Sequence, residues 1–381
     1  MTEPTSHPAR ALYDAGQLKI RWHPRLDAAP PALPAGIDLA DKVEGMMLGL
    51  AIGDALGNVS ESINPSERRR IHGWVDGYRP NRHADGRAVG LPSDDTQLAF
   101  WTVEHLLQQG RLDPQPLAEL FSQRRIFGIG QAVTAFVGKV RQGLPWQRCG
   151  DSSAGNGALM RIAPVLLPHL RQPAAAIWAD TLVAAHLTHD DALSNASCLA
   201  WVDLLWALLA MEQAPPAAWW VDRCLAVLDD VCLPTAYAAR NGHPPGFHGT
   251  AAHLIRQHLQ PALAQGQDVL TACSVWHSGA YLLETLPTAL YIVARHGDNP
   301  REAILQAVNN TRDNDTVAAI VGAAVGALHG LAGWPSTWID GLLGRTTGHD
   351  DGQVFRLLQA AGERFGYGST AALRRRADQA A

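Results

Sequence analysis

The chain is short of the features that would assign it to several large classes of protein. Its five cysteines (Cys149, Cys198, Cys224, Cys232 and Cys273) are scattered, odd in number and contain no C-x-x-C pair. That pattern fits neither a disulfide framework nor a zinc ribbon and leads us to expect a reducing, cytoplasmic setting. Charged residues are sparse, 18% against 47% hydrophobic, as in a compact globular protein and unlike a disordered chain. Excess positive charge is absent too: with a net charge of −5 there is no general attraction for nucleic acid or an anionic membrane surface, and neither is expected as a partner. The longest apolar runs, 317–332 interrupted by His329 and 198–211 interrupted by Asp203, fall short of the roughly 20 residues that cross a bilayer. They read as buried core helices. The opening "MTEPTSHPAR" lacks the basic start and apolar run of a signal peptide. Alternating strand patterns with hairpin turns are almost missing.

What the chain does contain, over most of its 381 residues, is helical periodicity. Residues 1–36 are rich in Pro and Ala without sustained periodicity and predict an extended N-terminal arm, with one domain over 37–381. From Asp38, a plausible N-cap, Leu39, Val43, Met46, Met47, Leu50 and Ala51 recur at helical spacing. Further helical patterns cover 94–109, 114–122, 128–142, 157–170, 173–187, 191–212, 217–230, 248–264, 267–273, 279–295, 300–308, 315–332, 335–343 and 352–364. The expectation is an all-α fold around one core. Gly45, Gly49 and Gly53 repeat every fourth residue on the first helix, and Gly322, Gly326 and Gly330 do the same near the end. Glycine costs about 1 kcal/mol against alanine inside a helix, so two such stripes predict close backbone approach, most economically of these helices to each other.

Several short segments carry candidate chemistry. "SDDTQLAF" places Ser93, Asp94 and Asp95 at a helix entrance. By itself it favours a serine cap with acids in the first turn. "DNDTVAAIVGAAVGALHG" repeats the theme with Asp313, Asp315 and Thr316. Capping needs one acceptor or two, whereas two entrances with paired carboxylates and hydroxyls supply hard oxygen ligands suited to Mg²⁺ or Mn²⁺. "GLAIGDALGNVSE" carries a Gly-Asp-x-x-Gly string around Asp54, a weak signal by itself, followed by Glu61. In "SSAGNGALMRIAP", Gly155, Asn156 and Gly157 form a small-residue loop before a helix, a place where backbone N–H groups hold phosphate or simply turn the chain. "THDDALSNAS" holds His189, Asp190 and Asp191, which serve packing and hydrogen bonding or, as a His-Asp doublet, a metal phosphohydrolase of the HD type.

Taken in order, "GLAIGDALGNVSE", "SDDTQLAF", "GNGALMRIAPV", "THDDALSNAS", "ETLPTALY" and "DNDTVAAIVGAAVGALHG" resemble the ADP-ribosylglycohydrolase family from about Asp38 to Gly330. The resemblance implies a compact helical fold with two Mg²⁺ or Mn²⁺ ions at the base of an ADP-ribose cleft. It assigns Ser93, Asp94, Asp95, Asp313, Asp315 and Thr316 to the metals, with Glu61 and Asp95 as catalytic groups. Ser153, Gly155, Asn156 and Gly157 match the ribose and phosphate loop, His189 lines the cleft, and Tyr281 is a candidate for the adenine end. Ser93 stands where Thr is usual and Arg312 where Gly is common. The implied activity is removal of ADP-ribose from arginine on a modified protein. The alternative, also implied by relatives, is an immunity protein that binds an ADP-ribosylating toxin, partly through its N-terminal arm.

Overall fold

Two helices, Leu39–Gly57 and Asn314–His329, form the axis of the molecule. Both are buried on nearly every side, the expected placement for helices apolar all round. They run antiparallel, and the two glycine stripes face each other as the periodicity predicts. A Cβ added at Gly49 would lie 2.3 Å from the carbonyl oxygen of Gly322, and one added at Gly326 would lie 2.1 Å from that of Gly45. No side chain fits between these backbones. Trp334 seals the seam, its indole N–H donating to the Gly45 carbonyl at 2.9 Å.

The computed structural model describes residues 7–379. Around the axial pair pack Asp94–Gln109, Ala192–Leu209, Leu282–His296 and Pro300–Asn310, giving one all-α domain. Asp38 caps the first axial helix as expected, accepting from Asp41 N at 3.0 Å. The Ala192–Leu209 helix is apolar and long enough to cross a membrane, but most of it is buried inside the fold. Among the described residues the only sheet is an antiparallel pair of two-residue strands, Tyr237–Ala238 and His248–Gly249.

Prolines account for much of the difference from the expected helices. The helix read over 157–170 is a pair of 3-10 segments, Leu159–Arg161 and Ala163–His169, because Pro164 and Pro168 lack the N–H groups an α-helix needs. The run read over 248–264 begins as a strand and contains a π turn, Ile255–Leu259, just before Pro261. Short helices Pro8–Asp14, Pro65–His72 and Ala371–Gln379 had no periodic signal long enough to read.

The segment read as an arm lies partly outside the described residues, at 1–6; the rest runs along the body. Leu12, Leu18, Ile20 and Leu26 are buried in the common core. Two tryptophans hold the chain down: Trp178 donates to the Ala28 carbonyl at 2.8 Å and Trp206 to that of Pro31 at 2.9 Å.

Candidate metal centre and ligand cleft

Antiparallel packing brings the C-terminal end of Leu39–Gly57 against the N-terminal end of Asn314–His329. At Gly57 an added Cβ would lie 2.4 Å from Asp315 Cα, so this glycine is what lets Asp315 sit beside the last turn of the first helix. The entrance of Asp94–Gln109 joins them, and the acidic segments that are far apart in the chain meet at one place.

Asp54, fully buried, organises that junction. Its carboxylate accepts from Ser93 N at 2.9 Å, Ser93 Oγ at 2.6 Å, Thr96 N at 3.1 Å and Asn58 Nδ2 at 3.0 Å, and also from the Thr96 hydroxyl. Ser93 occupies the N-cap position, yet its own side chain makes no capping bond. The cap is a carboxylate delivered from another helix, which satisfies the Thr96 N–H and favours the positive end of the helix dipole. Five donors saturate the roughly four lone-pair sites of a carboxylate. Asp54 is therefore a positioning residue, spent on holding Ser93 to Thr96 in place.

One oxygen from each of Asp54, Asp95 and Asp315 lies within 4.8 Å of the others, and the same holds for Glu61, Asp313 and Asp315. Asp315 is common to both groups. Asp94 stands outside them, although it feels the charges of Asp54, Glu61 and Asp313. Asp95 Oδ1 is buried with no hydrogen-bond partner among the described residues, the signature of a ligand atom waiting for a cation. Asp313 is oriented by the amide of Asn156, which donates to Oδ2 at 2.5 Å, and Asp315 Oδ1 accepts from Thr316 N at 2.9 Å. This all-oxygen, carboxylate-rich set fits a hard divalent cation.

Burial first, and the neighbouring negative charges second, push Asp94, Asp95 and Asp315 well above the usual carboxyl range. Asp313 is raised to about 6 by burial, opposed by its Asn156 hydrogen bond. Glu61, whose outer side meets solvent, is raised to about 7 by desolvation and then by Asp313 and Asp54. A carboxyl with a raised folded pKa binds its proton more tightly when folded. Its penalty on stability is absent below the unfolded pKa and grows as pH rises through the folded one. In chelator the protein is therefore expected to lose stability between about pH 4 and about pH 7 on account of this cluster, and Mg²⁺ should restore it at the upper end. Thermal melts across that range with and without Mg²⁺ check this; a metal-free protein that grows more stable over the window would contradict it.

Beside the carboxylates lies the small-residue loop. Gly155 pairs with Tyr281 in an isolated antiparallel bridge, and Leu282 N donates to the Ala154 carbonyl at 2.9 Å. Ser153 Oγ accepts from Gly155 N at 3.2 Å. Glycine at 157 is required by His189, whose ring would stand 2.9 Å from a Cβ there. The chain after Gly157 turns into a 3-10 segment, so the helix N-terminus expected to hold phosphate is not formed; Asn156 instead bridges to Asp313. Tyr281 lies under the Arg240 guanidinium, 3.9 Å from the ring centre. Arg312 reaches away to Asn64 Oδ1.

His189 is buried and held neutral, its pKa lowered to about 3 by desolvation and then by Arg161. Arg161 donates to Thr188 Oγ1 at 2.7 Å, and that hydroxyl lies 2.8 Å from His189 Nδ1. His189 Nε2 faces the Gly155–Gly157 loop, 3.3 Å from where a Cβ at Gly157 would stand. The neighbouring acids have structural work: Asp190 pairs with Lys19 at 3.2 Å, and Asp191 caps Ala192–Leu209, accepting from Leu193 N at 2.8 Å. The His-Asp doublet thus joins no metal-binding group among the described residues, and the HD phosphohydrolase reading has no site.

Sequence reasoning missed two residues here. Asp54 carried only the weak Gly-Asp-x-x-Gly signal, and its role depends on a helix 39 residues away. Gln97, within "SDDTQLAF", looked like an ordinary helical polar residue; it is fully buried and hydrogen-bonds two loops.

Comparisons with known proteins give the family. Residues 35–366 match the family model described as ADP-ribosylglycohydrolase. ADP-ribosylarginine hydrolase Tri1 of Pseudomonas putida is 29% identical over 314 residues, spanning 79% of this chain and 74% of the relative. The ADP-ribosyl-[dinitrogen reductase] glycohydrolase of Rhodospirillum rubrum is 26% identical over 337 residues, spanning 86% and 99%. A solved structure titled ADP-ribosylglycohydrolase-related protein complex shares the fold, with a TM-score of 0.63 at 24% identity over 87% of this chain and 99% of that one.

Proposed function

The chain belongs to the ADP-ribosylglycohydrolase family, and from that premise we propose that it hydrolyses the N-glycosidic bond joining ADP-ribose to an arginine side chain of a modified protein. The observation that carries the reading is the meeting of Glu61, Asp95, Asp313 and Asp315 beside a small-residue loop. Asp94, Asp95, Asp313 and Asp315, with the hydroxyls of Ser93 and Thr316, would hold two Mg²⁺ or Mn²⁺ ions. When bound, such ions supply Lewis acidity and anchor the ribose hydroxyls.

The remaining work falls to the chain itself. Water adds at the anomeric carbon, the carbon–nitrogen bond breaks, and the leaving guanidine takes up a proton. Glu61, with its pKa near 7, is suited to move that proton at neutral pH. Positive charge developing on the ribose is stabilised by the surrounding carboxylates. His189 and the Ser153–Gly157 loop would face the ribose and phosphates, and Tyr281 the adenine end. Arginine is preferred as the modified residue because a relative of this length and similarity is an ADP-ribosylarginine hydrolase.

Incubation of ADP-ribosylarginine protein with the enzyme and Mg²⁺ is expected to release free ADP-ribose, and chelation to stop it. Release from serine-linked substrate alone would overturn the arginine assignment, and release unaffected by chelation would overturn the metal assignment.

A further inference from the structure

We propose that a basic groove opening on the Glu61 side of the carboxylates docks the polypeptide that carries the ADP-ribose, and that it selects acidic residues flanking the modified side chain. The occupant rests on the hydrolase reading above; the groove itself does not.

The groove is a cavity of about 920 Å³. Glu61 and Ser93 form its inner wall, and Arg82, Arg125 and Arg345 stand around the rest with Phe127 between. None of the loop residues 153–157, nor His189 or Tyr281, lines it. Its lining is thus distinct from the candidate ribose and phosphate loop, while Glu61 and Ser93 connect it to the carboxylates. Three arginines against one carboxylate is a local excess in a chain whose net charge is −5. Arg345 is neutralised by Asp351. Arg82 contacts only the imidazole of its neighbour His83, at 3.0 Å, and Arg125 lies 5.6 Å from the Phe127 ring; neither has an acidic partner among the described residues.

The groove is also built rather than incidental. Gln97 Nε2 donates to the carbonyls of Arg125 at 3.2 Å and Thr346 at 2.8 Å, while its Oε1 accepts from Phe127 N at 2.7 Å. A single buried amide, two residues beyond Asp95, therefore ties the Arg125–Phe127 and Thr346 segments of the groove to the helix that carries the candidate metal ligands. Whatever occupies the groove is held in fixed register with the reacting centre.

Two unpaired guanidinium groups over an apolar and aromatic floor suit a peptide with carboxylates on either side of the modified residue. The diphosphate of ADP-ribose itself is the competitor, and the experiment separates it.

Fluorescent peptides bearing ADP-ribosylarginine between acidic or between neutral residues are compared with free ADP-ribosylarginine, using wild type and an Arg82→Glu/Arg125→Glu variant. Wild type should favour the acidic peptide by about tenfold in kcat/KM, mainly through KM, with the preference shrinking as ionic strength rises above about 0.15 M. In the variant the preference should vanish or invert, and the loss on the acidic peptide should exceed any loss on free ADP-ribosylarginine by about tenfold. No flank preference in wild type, or one retained by the variant, overturns the proposal. An equal loss on free ADP-ribosylarginine, with weaker inhibition by ADP-ribose, assigns the arginines to the diphosphate and overturns it too. Should wild type cleave none of these substrates, the hydrolase reading fails, and fluorescence anisotropy with the same peptides still decides whether the groove prefers acidic flanks.

Discussion

Asp315→Asn should abolish turnover while making the metal-free protein more stable. Asp315 is the carboxylate common to both acidic groups, so its loss removes an oxygen anion from each. Losing charge stabilisation at this point should lower the rate by about a thousandfold or more. Asparagine preserves shape and can still accept from Thr316 N, the bond Asp315 makes at 2.9 Å. Stability moves the other way because Asp315 is buried among like charges and its carboxyl is raised well above the usual range, which means its ionised form is unfavourable in the folded protein. The variant should therefore melt higher than wild type in chelator at pH 8. Wild type, in turn, should gain about 2.7 kcal/mol when Mg²⁺ reaches about a hundred times its dissociation constant. The variant should lose most of that gain. Calorimetry with and without Mg²⁺ and an ADP-ribose release assay read both effects. A variant that keeps its Mg²⁺ response would remove Asp315 from the metal site.

Gly49→Ala should strongly destabilise the fold. The new Cβ would stand 2.3 Å from the Gly322 carbonyl oxygen and 2.5 Å from Trp334 Cζ2. The first obstacle is backbone, which cannot rotate aside as a side chain does, so the helices must part by roughly 1 Å to reach van der Waals contact. Alanine's better helix propensity offsets about 1 kcal/mol, and the separated core should still cost about 3 kcal/mol or more. A fall in soluble yield and melting temperature measures this. The soluble fraction should also bind Mg²⁺ more weakly, because the same helices set Gly57 against Asp315. A melt within a degree or two of wild type would show that the stripe contact is dispensable.

These two positions show what could be read from sequence and what could not. The stripes were legible because a glycine every fourth residue has a cost that only close approach explains, and the structure places them face to face. Paired acids at helix entrances were legible because capping alone does not need them. Partners across the fold were not: nothing local in Ser93 says that its helix is capped by Asp54, and nothing in Gln97 says that it holds Arg125 and Thr346. The 3-10 segments near Pro164 and Pro168 were masked by apolar spacing that suits a helix and a 3-10 turn alike. The course of residues 7–36 was hidden because its buried positions, such as Leu18 and Ile20, follow no period.

The crossing of the axial helices also has a consequence for how the chain is made. Residues 39–57 leave the ribosome long before the backbone they must press against, 314–330, which begins 257 positions later (314 minus 57). Through most of translation this buried, apolar helix lacks its main partner. Its glycine face, too short of side chains to pack on anything but another bare backbone, waits for a contact of high sequence separation, which is slow to form and exposed to aggregation meanwhile. A chain released before Asp313 lacks both its core seam and the second half of its acidic centre, so the protein cannot be partly finished and partly active.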